Sequence, residues 1–129
     1  MTGSTLLAES VDRPLAYSLL EHIQHALPPS SPLSPIVCSD IWWLNNDELA
    51  HQPTISLGPP DSNALSAFLA RRLPSAFAID GVLNILLDPE YPEPHACIFG
   101  ATPDSTHAAT EAFLQRHLEA FLNAALARA

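Results

Sequence analysis

The fold is decided by the stretch Pro53-Thr-Ile-Ser-Leu-Gly-Pro-Pro-Asp-Ser-Asn-Ala-Leu-Ser-Ala-Phe-Leu-Ala-Arg-Arg-Leu73. Thr54–Leu57 is a short apolar run that predicts a strand, and Gly58–Asn63 predicts a sharp turn. The residues after the turn place apolar side chains at helical spacing. The same order of strand, turn and helix returns in His95–Gly100 and the residues from Thr102 onward. Two such units in one small chain predict an α/β domain.

The rest of the chain adds elements around these two units. A proline near the start of the segment and an apolar stripe predict a helix near 12–27. Apolar side chains at helical spacing predict two further helices, one near 62–73 after the first turn and one near 103–127 at the end of the chain. Ile36–Leu44 is apolar on both of its alternating sides, which predicts a strand covered on both faces. Asp80-Gly81 lies between two apolar runs and predicts a type I′ hairpin turn. We therefore expect a three-layer sandwich with a mixed, mostly parallel sheet of four to five strands.

One domain is expected over 11–129, because 129 residues match a common domain size. Residues 1–10 show no periodicity and are expected to form a loose or weakly docked tail. The start of the chain lacks the basic region of a secretory signal, and no run approaches the length of a membrane span. Cys38 and Cys97 each lie within apolar runs, which favours buried thiols over a disulfide. A cytoplasmic location follows from these observations.

The charge balance excludes several classes of function. The formal net charge is −9, and all five basic residues are arginines. Nucleic acids and anionic membranes both require clustered basic surface, so neither is an expected partner. The absence of lysine also removes Walker-type phosphate binding and Schiff-base catalysis. No cofactor is expected.

The two strand-to-helix turns are the leading candidates for a binding site. In open α/β sheets, ligands gather where strands end and helices begin. Ordinary capping and turn formation require the same residue types, however, and they are the competing interpretation. The candidate ligand-binding residues are Gly58, Ser62, Asn63, Gly100, Thr102 and Ser105.

Asp40 is the most informative single residue, because a carboxylate inside an apolar run is costly unless it is paired. It is a candidate general base or metal ligand with His51 as a possible partner, and His51 and Ser62 are further weak catalytic candidates. The alternative is a structural role, in which Asp40 pairs with an arginine, accepts hydrogen bonds from backbone N–H groups, or lies on a face exposed to water. The six histidines show no convincing ligand spacing, so no metal site is expected.

Trp42 and Trp43 form an adjacent pair of large apolar side chains. On a strand they point to opposite sides, so the two cannot fill one core. Either of them is a candidate interface anchor. The alternative is burial of both under helices on the two faces.

Two blocks carry a resemblance to a known family. Ile55-Ser-Leu-Gly-Pro-Pro-Asp-Ser-Asn-Ala-Leu65 resembles the strand–Gly-Gly-Pro-x-x-Asn–helix element of archaeal surface-layer-type α/β repeats. Ile98-Phe-Gly-Ala-Thr-Pro-Asp-Ser-Thr-His-Ala-Ala109 is similar to their Gly-Ala-Thr-x-x-x-Thr-x-x-Ala element. The blocks cover about a fifth of the chain, and Pro59 stands where the pattern has its second glycine. The resemblance implies a structural role and supplies no catalytic residues.

Two hypotheses for function follow. The first is a non-catalytic α/β domain that self-associates or docks onto another protein, since a small apolar chain can leave apolar surface unburied. The second is a small-ligand-binding protein or hydrolase with its site at the turns 58–63 and 100–105. Because no catalytic motif is present, the first is preferred, and an enzymatic role stays open.

Overall fold

The computed structural model describes residues 1–90 and 92–128. Over these residues the helices are α1 (Arg13–Ala26), α2 (Asp40–Leu44), α3 (Ala64–Leu69), α4 (Pro103–Arg116) and α5 (Leu118–Ala127). The strands are β1 (Thr54–Leu57), β2 (Ser75–Ile79), β3 (Leu83–Leu87) and β4 (His95–Gly100). A π-helical turn at Ala8–Asp12 precedes α1, and a 3-10 turn at Asp47–His51 follows α2. The structure combines helices with one sheet, as expected for an α/β chain.

The described strands form one mixed sheet in the order β1–β4–β3–β2. Among them, β1 and β4 pair in parallel, whereas β3 pairs antiparallel with both β4 and β2. The prediction of a mostly parallel sheet is therefore wrong. Parallel neighbours need a long crossover connection, but β3 is reached and left through short returns without helices, and such returns produce antiparallel pairs.

The hairpin predicted at Asp80-Gly81 joins β2 to β3. Val82 N donates to Ile79 O at 2.9 Å, which closes the turn. Gly81 has a φ of +71°, in the left-handed region that glycine adopts at little cost. The hairpin is confirmed, and β2 is the last strand in the order of the described sheet.

Two apolar clusters lie on opposite faces of the sheet, because neighbouring strand residues point to opposite sides. Ile98 and Ile85 belong to the larger cluster, which includes side chains of α1, α4 and α5. Cys97 and Leu86 belong to the smaller cluster, which includes Trp43 and side chains of α3. The alternating burial of β3 and β4 thus divides the core into two parts.

The predicted helices are present with changed bounds. The helix expected near 12–27 is α1, and the one near 62–73 is the shorter α3. The helix expected near 103–127 is divided at His117, whose φ of −128° and ψ of −17° leave the α-helical region. His117 N still donates to Phe113 O at 2.8 Å, so backbone hydrogen bonding continues through the break.

The strand predicted over 36–44 is wrong, because its second half is the helix α2. Ser39 is the N-cap, and its hydroxyl accepts a hydrogen bond from Trp42 N at 3.2 Å. Asp40 follows in the first turn, where a negative charge is favourable. This capping competes with the apolar alternation and determines the local structure.

The N-terminal residues differ from the expected tail. Thr2 N donates to Cys38 O at 3.0 Å, and Asp40 N donates to Thr2 O at 2.7 Å. Leu57 N also donates to Met1 O at 2.8 Å, so the first residues lie between β1 and the segment before α2. Side-chain periodicity carries no sign of this docking, because backbone groups make the contacts.

Candidate functional site

The two strand-to-helix turns lie together at the carboxyl ends of β1 and β4, because these strands run parallel and each turn follows one of them. Gly58 N donates to Ile98 O at 2.9 Å, which links the start of the first turn to β4. The arrangement brings together the residues of 58–63 and 100–105 that the sequence singled out. What these residues can offer a ligand depends on which of their polar groups are already bonded.

In the first turn the polar groups are used internally. Asn63 Oδ1 accepts from Leu65 N at 3.0 Å and from Ser66 N at 3.1 Å, and its amide nitrogen donates to Leu57 O at 3.0 Å. Ser62 Oγ lies 3.4 Å from Pro59 O, a weak internal contact. Asn63 is therefore the N-cap of α3 and is fully engaged in that role.

The second turn has the same character. Thr102 Oγ1 accepts from Ser105 N at 3.2 Å, and Ser105 Oγ accepts from Thr102 N at 2.8 Å, which is a reciprocal capping box. Gly100 N donates to Thr106 Oγ1 at 3.0 Å. A Cβ at Gly100 would lie 2.3 Å from the carbonyl carbon of Ser105, so glycine is required by close packing. These groups start α4 and leave few free donors.

Asp40 is buried beside the first turn, with 5% of its surface exposed. Its Oδ1 accepts from Ser4 Oγ at 2.5 Å and from Ile41 N at 2.8 Å, and its Oδ2 accepts from Ala64 N at 2.9 Å. Both carboxylate oxygens therefore have internal donors, and two of the three are backbone N–H groups. This arrangement supports the structural interpretation of Asp40 more than a role as a general base.

Asp12 is a further carboxyl group beside the first turn, and the sequence did not single it out. It is 5% exposed, and a Cβ built on Gly58 would lie 2.5 Å from its Oδ2. Burial raises the pKa of Asp12 to about 6. Gly58 has a φ of +113°, so this position needs glycine both for its conformation and for the space that Asp12 fills. The only signal in the sequence was the position of Asp12 just before Arg13 and Pro14, where α1 begins.

The histidines do not complete a catalytic or metal site with these carboxyl groups. His51 is exposed at the end of the 3-10 turn, next to the start of β1 and away from the edge where Asp40 lies. His95 is buried at the start of β4, its ring 6.3 Å from that of Trp43, and burial lowers its pKa. In the described ranges, no group of three or more His, Cys, Asp or Glu side chains could hold a metal ion.

The tryptophan pair is divided between core and surface. Trp43 is 9% exposed, and its indole N–H donates to Thr54 Oγ1 at 3.2 Å. Trp42 is 48% exposed on the other side of α2, next to exposed Ile41 and Leu44. On a helix, adjacent residues are about 100° apart, so one of the two can be buried while the other faces outward. Of the two predicted interface residues, Trp42 alone is accessible.

A second exposed surface is the edge strand β2. It pairs with β3 on one side, and its other side is the open end of the sheet. Ser75, Ala76, Ala78 and Ile79 are exposed, so neither face of the strand is well covered. Phe77 is half-buried beneath Arg116, whose guanidinium carbon lies 4.3 Å from the ring centre. Nothing in the sequence indicated that this strand would lie at the edge.

A pocket of about 320 Å³ opens near the amino end of β1, at the opposite end of that strand from the two turns. Its walls come from α1, the irregular segment 32–38, the start of β1 and α5. Trp43 and Cys38 both line it, and Cys38 is a free, partly buried thiol whose pKa is raised by burial. The sequence did not predict this pocket, because its walls come from separate parts of the chain.

No protein-family model, no curated protein and no solved structure matches the chain. The resemblance to surface-layer-type repeats is therefore unsupported by any relative, and function must be argued from geometry. No helix in the described part of the chain combines the length and apolar character that crossing a membrane requires.

Proposed function

We propose that the protein is a non-catalytic α/β domain that self-associates by pairing the β2 edges of two copies. The observation that carries this proposal is the position of β2 at the end of the strand order among the described residues, since an edge strand presents unpaired backbone N–H and C=O groups. A second β2 strand can pair there in antiparallel orientation, which gives a two-fold symmetric dimer. We also infer that the helices on the two sheet faces form a three-layer sandwich, since the two apolar clusters lie on opposite faces.

The composition of β2 favours pairing. Edge strands are commonly protected by charged side chains, proline or a bulge. Ser75–Ile79 contains no charged residue and no proline, and Ile79 is 49% exposed. The register shifts between Ser75 and Phe77, but Phe77–Ile79 pairs regularly with β3. A strand of this length is about 17 Å long, which is enough for a short shared sheet.

The charges that flank β2 are complementary to a second copy. Arg71 and Arg72 precede the strand, and Asp80 follows it. In antiparallel pairing centred on Ala76 or Phe77, Asp80 of one copy lies beside the segment 72–74 that precedes β2 in the other. Arg72 belongs to the turn after α3, with its guanidinium carbon 4.2 Å from the ring centre of Phe68, and its side chain must turn away from that ring to reach Asp80. The symmetry forms this contact twice, once at each end of the shared strand pair.

The alternative, ligand binding or hydrolysis at the turns 58–63 and 100–105, has less support. The capping groups of both turns are bonded internally, and Asp40 already has three donors. The proposed kinship with surface-layer-type repeats agrees with a non-catalytic role. A cytoplasmic location is proposed on the two free cysteines.

Sedimentation equilibrium of the full chain tests the proposal. The wild type is expected to show a reversible monomer–dimer equilibrium. Asp80→Arg and Arg72→Asp are each expected to weaken the dimer about tenfold, because two attractive contacts become repulsive. An equimolar mixture of the two variants restores opposite charges at both ends and is expected to recover wild-type affinity.

Two matched controls locate the interface. Ala78→Lys places a charge on the edge and is expected to abolish dimers, whereas Ala108→Lys makes the same change at an exposed position on α4 and is expected to leave them unchanged. Trp42→Ser tests α2 and is also expected to have no effect. A wild type that stays monomeric at millimolar concentration contradicts self-association. Dimers lost in Trp42→Ser but kept in Ala78→Lys contradict the β2 interface.

A further inference from the structure

The pocket near the amino end of β1 is lined by no charged side chain. The amino group of Met1, which is also a lining residue, donates to Ile55 O at 2.8 Å, and burial lowers its pKa to about 6. No Asp, Glu, Lys, Arg or His side chain contributes to its walls, although the chain has a net charge of −9. Most lining side chains are aliphatic, from Leu19, Leu20 and Ile23 of α1 to Leu122 of α5. At pH 8, where the buried amino group of Met1 is largely uncharged, a charged ligand would lose its hydration here without gaining a counter-ion. The chemistry of the walls therefore selects an uncharged, apolar occupant.

A few polar groups line the pocket beside the aliphatic ones. The side chains of Ser34, Cys38 and Gln52 are among them, and Ser34 and Gln52 are exposed. An apolar pocket with a small number of polar groups is typical of small-molecule sites. An occupant with one hydroxyl end can lie with its chain among the leucines and its polar end towards Ser34 or Gln52.

The size of the pocket sets the size of the occupant. A volume of about 320 Å³ lies at the lower end of the range for ligand sites. Water occupies about 30 Å³ per molecule in the liquid, so the space corresponds to about ten non-hydrogen atoms. One wall, the segment 32–38, belongs to no helix or strand and contains Pro32 and Pro35, so it can move without breaking regular structure.

We propose that this pocket is a binding site for an uncharged, mainly aliphatic molecule of about ten non-hydrogen atoms, such as a medium-chain alcohol. The site is independent of β2, since none of its lining residues belongs to that strand. It also lies at the opposite end of β1 from the two turns. Failure of the binding proposal therefore does not contradict self-association, and failure of self-association does not contradict binding in this pocket.

Fluorescence quenching provides the test, because Trp43 lines the pocket and Trp42 does not. In the full chain carrying Trp42→Phe, Trp43 is the sole tryptophan. Titration with 10-bromo-1-decanol is expected to quench its fluorescence to a saturating level, and unlabelled 1-decanol is expected to reverse the quenching. At pH 8 decanoate is expected to bind at least tenfold more weakly, because the amino group of Met1 is then largely uncharged and the walls offer no other cation.

Matched variants locate the bound molecule. Leu20→Phe reduces the space inside the pocket, whereas Leu114→Phe makes the same change at a half-buried position on α4 outside it. The first is expected to weaken decanol binding at least tenfold, and the second to leave it unchanged. Val37→Phe fills the pocket from the irregular wall and replaces Leu20→Phe if that variant does not fold.

Cys38 gives a second readout that does not depend on fluorescence. Decanol is expected to slow alkylation of Cys38 by iodoacetamide at least fivefold, measured by mass spectrometry of the modified peptide. Cys97 is buried, with a pKa raised to about 11, and reacts slowly with or without the alcohol. Quenching that does not saturate, alkylation that decanol does not slow, or binding unaffected by both Leu20→Phe and Val37→Phe overturns the proposal.

Discussion

Asp12 shows what burial does to a single carboxyl group. Its side chain lies against Gly58 with 5% of its surface exposed, and burial raises its pKa from 3.8 to about 6. Between these two values the folded state holds a proton that the unfolded chain has released. The contribution of Asp12 to stability is therefore largest below pH 3.8, decreases as the pH rises through 6, and stays at its minimum above that.

Asp12→Asn is expected to increase the free energy of unfolding at pH 7.5, because the buried charge is removed. A shift from 3.8 to about 6 corresponds to at most ~3 kcal/mol. The gain over wild type should shrink towards zero as the pH falls to 4, which urea unfolding at several pH values measures. Asp61→Asn changes an exposed carboxylate in the turn 58–63, which contains Gly58. It is the control and should change stability little at any pH. A gain for Asp12→Asn that does not depend on pH contradicts this account.

Single residues also show where sequence reasoning reaches its limit. The caps at Asn63 and Thr102 could be predicted, because a cap and the N–H groups it accepts from lie within three residues. The bond between Asp40 and Ala64 N joins positions far apart in the chain, and the burial of Asp12 against Gly58 does too. Such contacts depend on how the elements pack, and no local pattern encodes them.

Among the elements, α3 shows how a short helix depends on contacts outside itself. It has six residues, and a helix this short is unstable alone. Asn63 bonds the N–H groups of Leu65 and Ser66, and Asp40 bonds that of Ala64. Together they satisfy three of the donors at the start of the helix that have no partner within it.

Asp40→Ala is expected to destabilise the fold by ~3 kcal/mol, because Ala64 N loses a charged acceptor and Ser4 its partner. Amide hydrogen exchange at Ala64–Ser66 should accelerate more than exchange in α4. Asp47→Ala removes an exposed carboxylate from the neighbouring 3-10 turn and serves as the control. Unchanged exchange at α3 in Asp40→Ala would show that this bond does not hold the helix in place.

Sequence patterns predicted some elements better than their arrangement. The hairpin at Asp80-Gly81 and the strands β1 and β4 follow from local turn chemistry and short apolar runs. The prediction of a strand over 36–44 was wrong because the Ser39 cap starts a helix there in spite of the apolar alternation. The prediction of a mostly parallel sheet was wrong because strand direction depends on the connections between strands. The position of β2 at the edge, on which the proposed function depends, is a property of strand order and has no local signal.

For the whole molecule, the net charge of −9 acts against association of two copies. A compact chain of this length has a radius of gyration of about 14 Å, so the centres of two touching copies lie about 35 Å apart. At that separation two charges of −9 repel by ~10 kcal/mol in water without salt. Screening reduces this to ~3 kcal/mol at 0.01 M salt and below ~1 kcal/mol at 0.1 M.

The proposed dimer should therefore become tighter as salt is added, because the loss of repulsion exceeds the weakening of two exposed Arg72–Asp80 contacts, each worth ~1 kcal/mol or less. Raising the ionic strength from 0.01 to 0.1 M is expected to lower the dissociation constant at least tenfold in sedimentation equilibrium at pH 8, where histidine is neutral. Glu119→Arg, an exposed change on α5 that leaves the Arg72–Asp80 contacts intact and reduces the net charge from −9 to −7, should show a smaller salt effect. If salt weakens the wild-type dimer instead, local attraction between the copies outweighs their overall repulsion. Arg72 and Asp80 alone cannot supply that much attraction, so this result would contradict the proposed β2 interface.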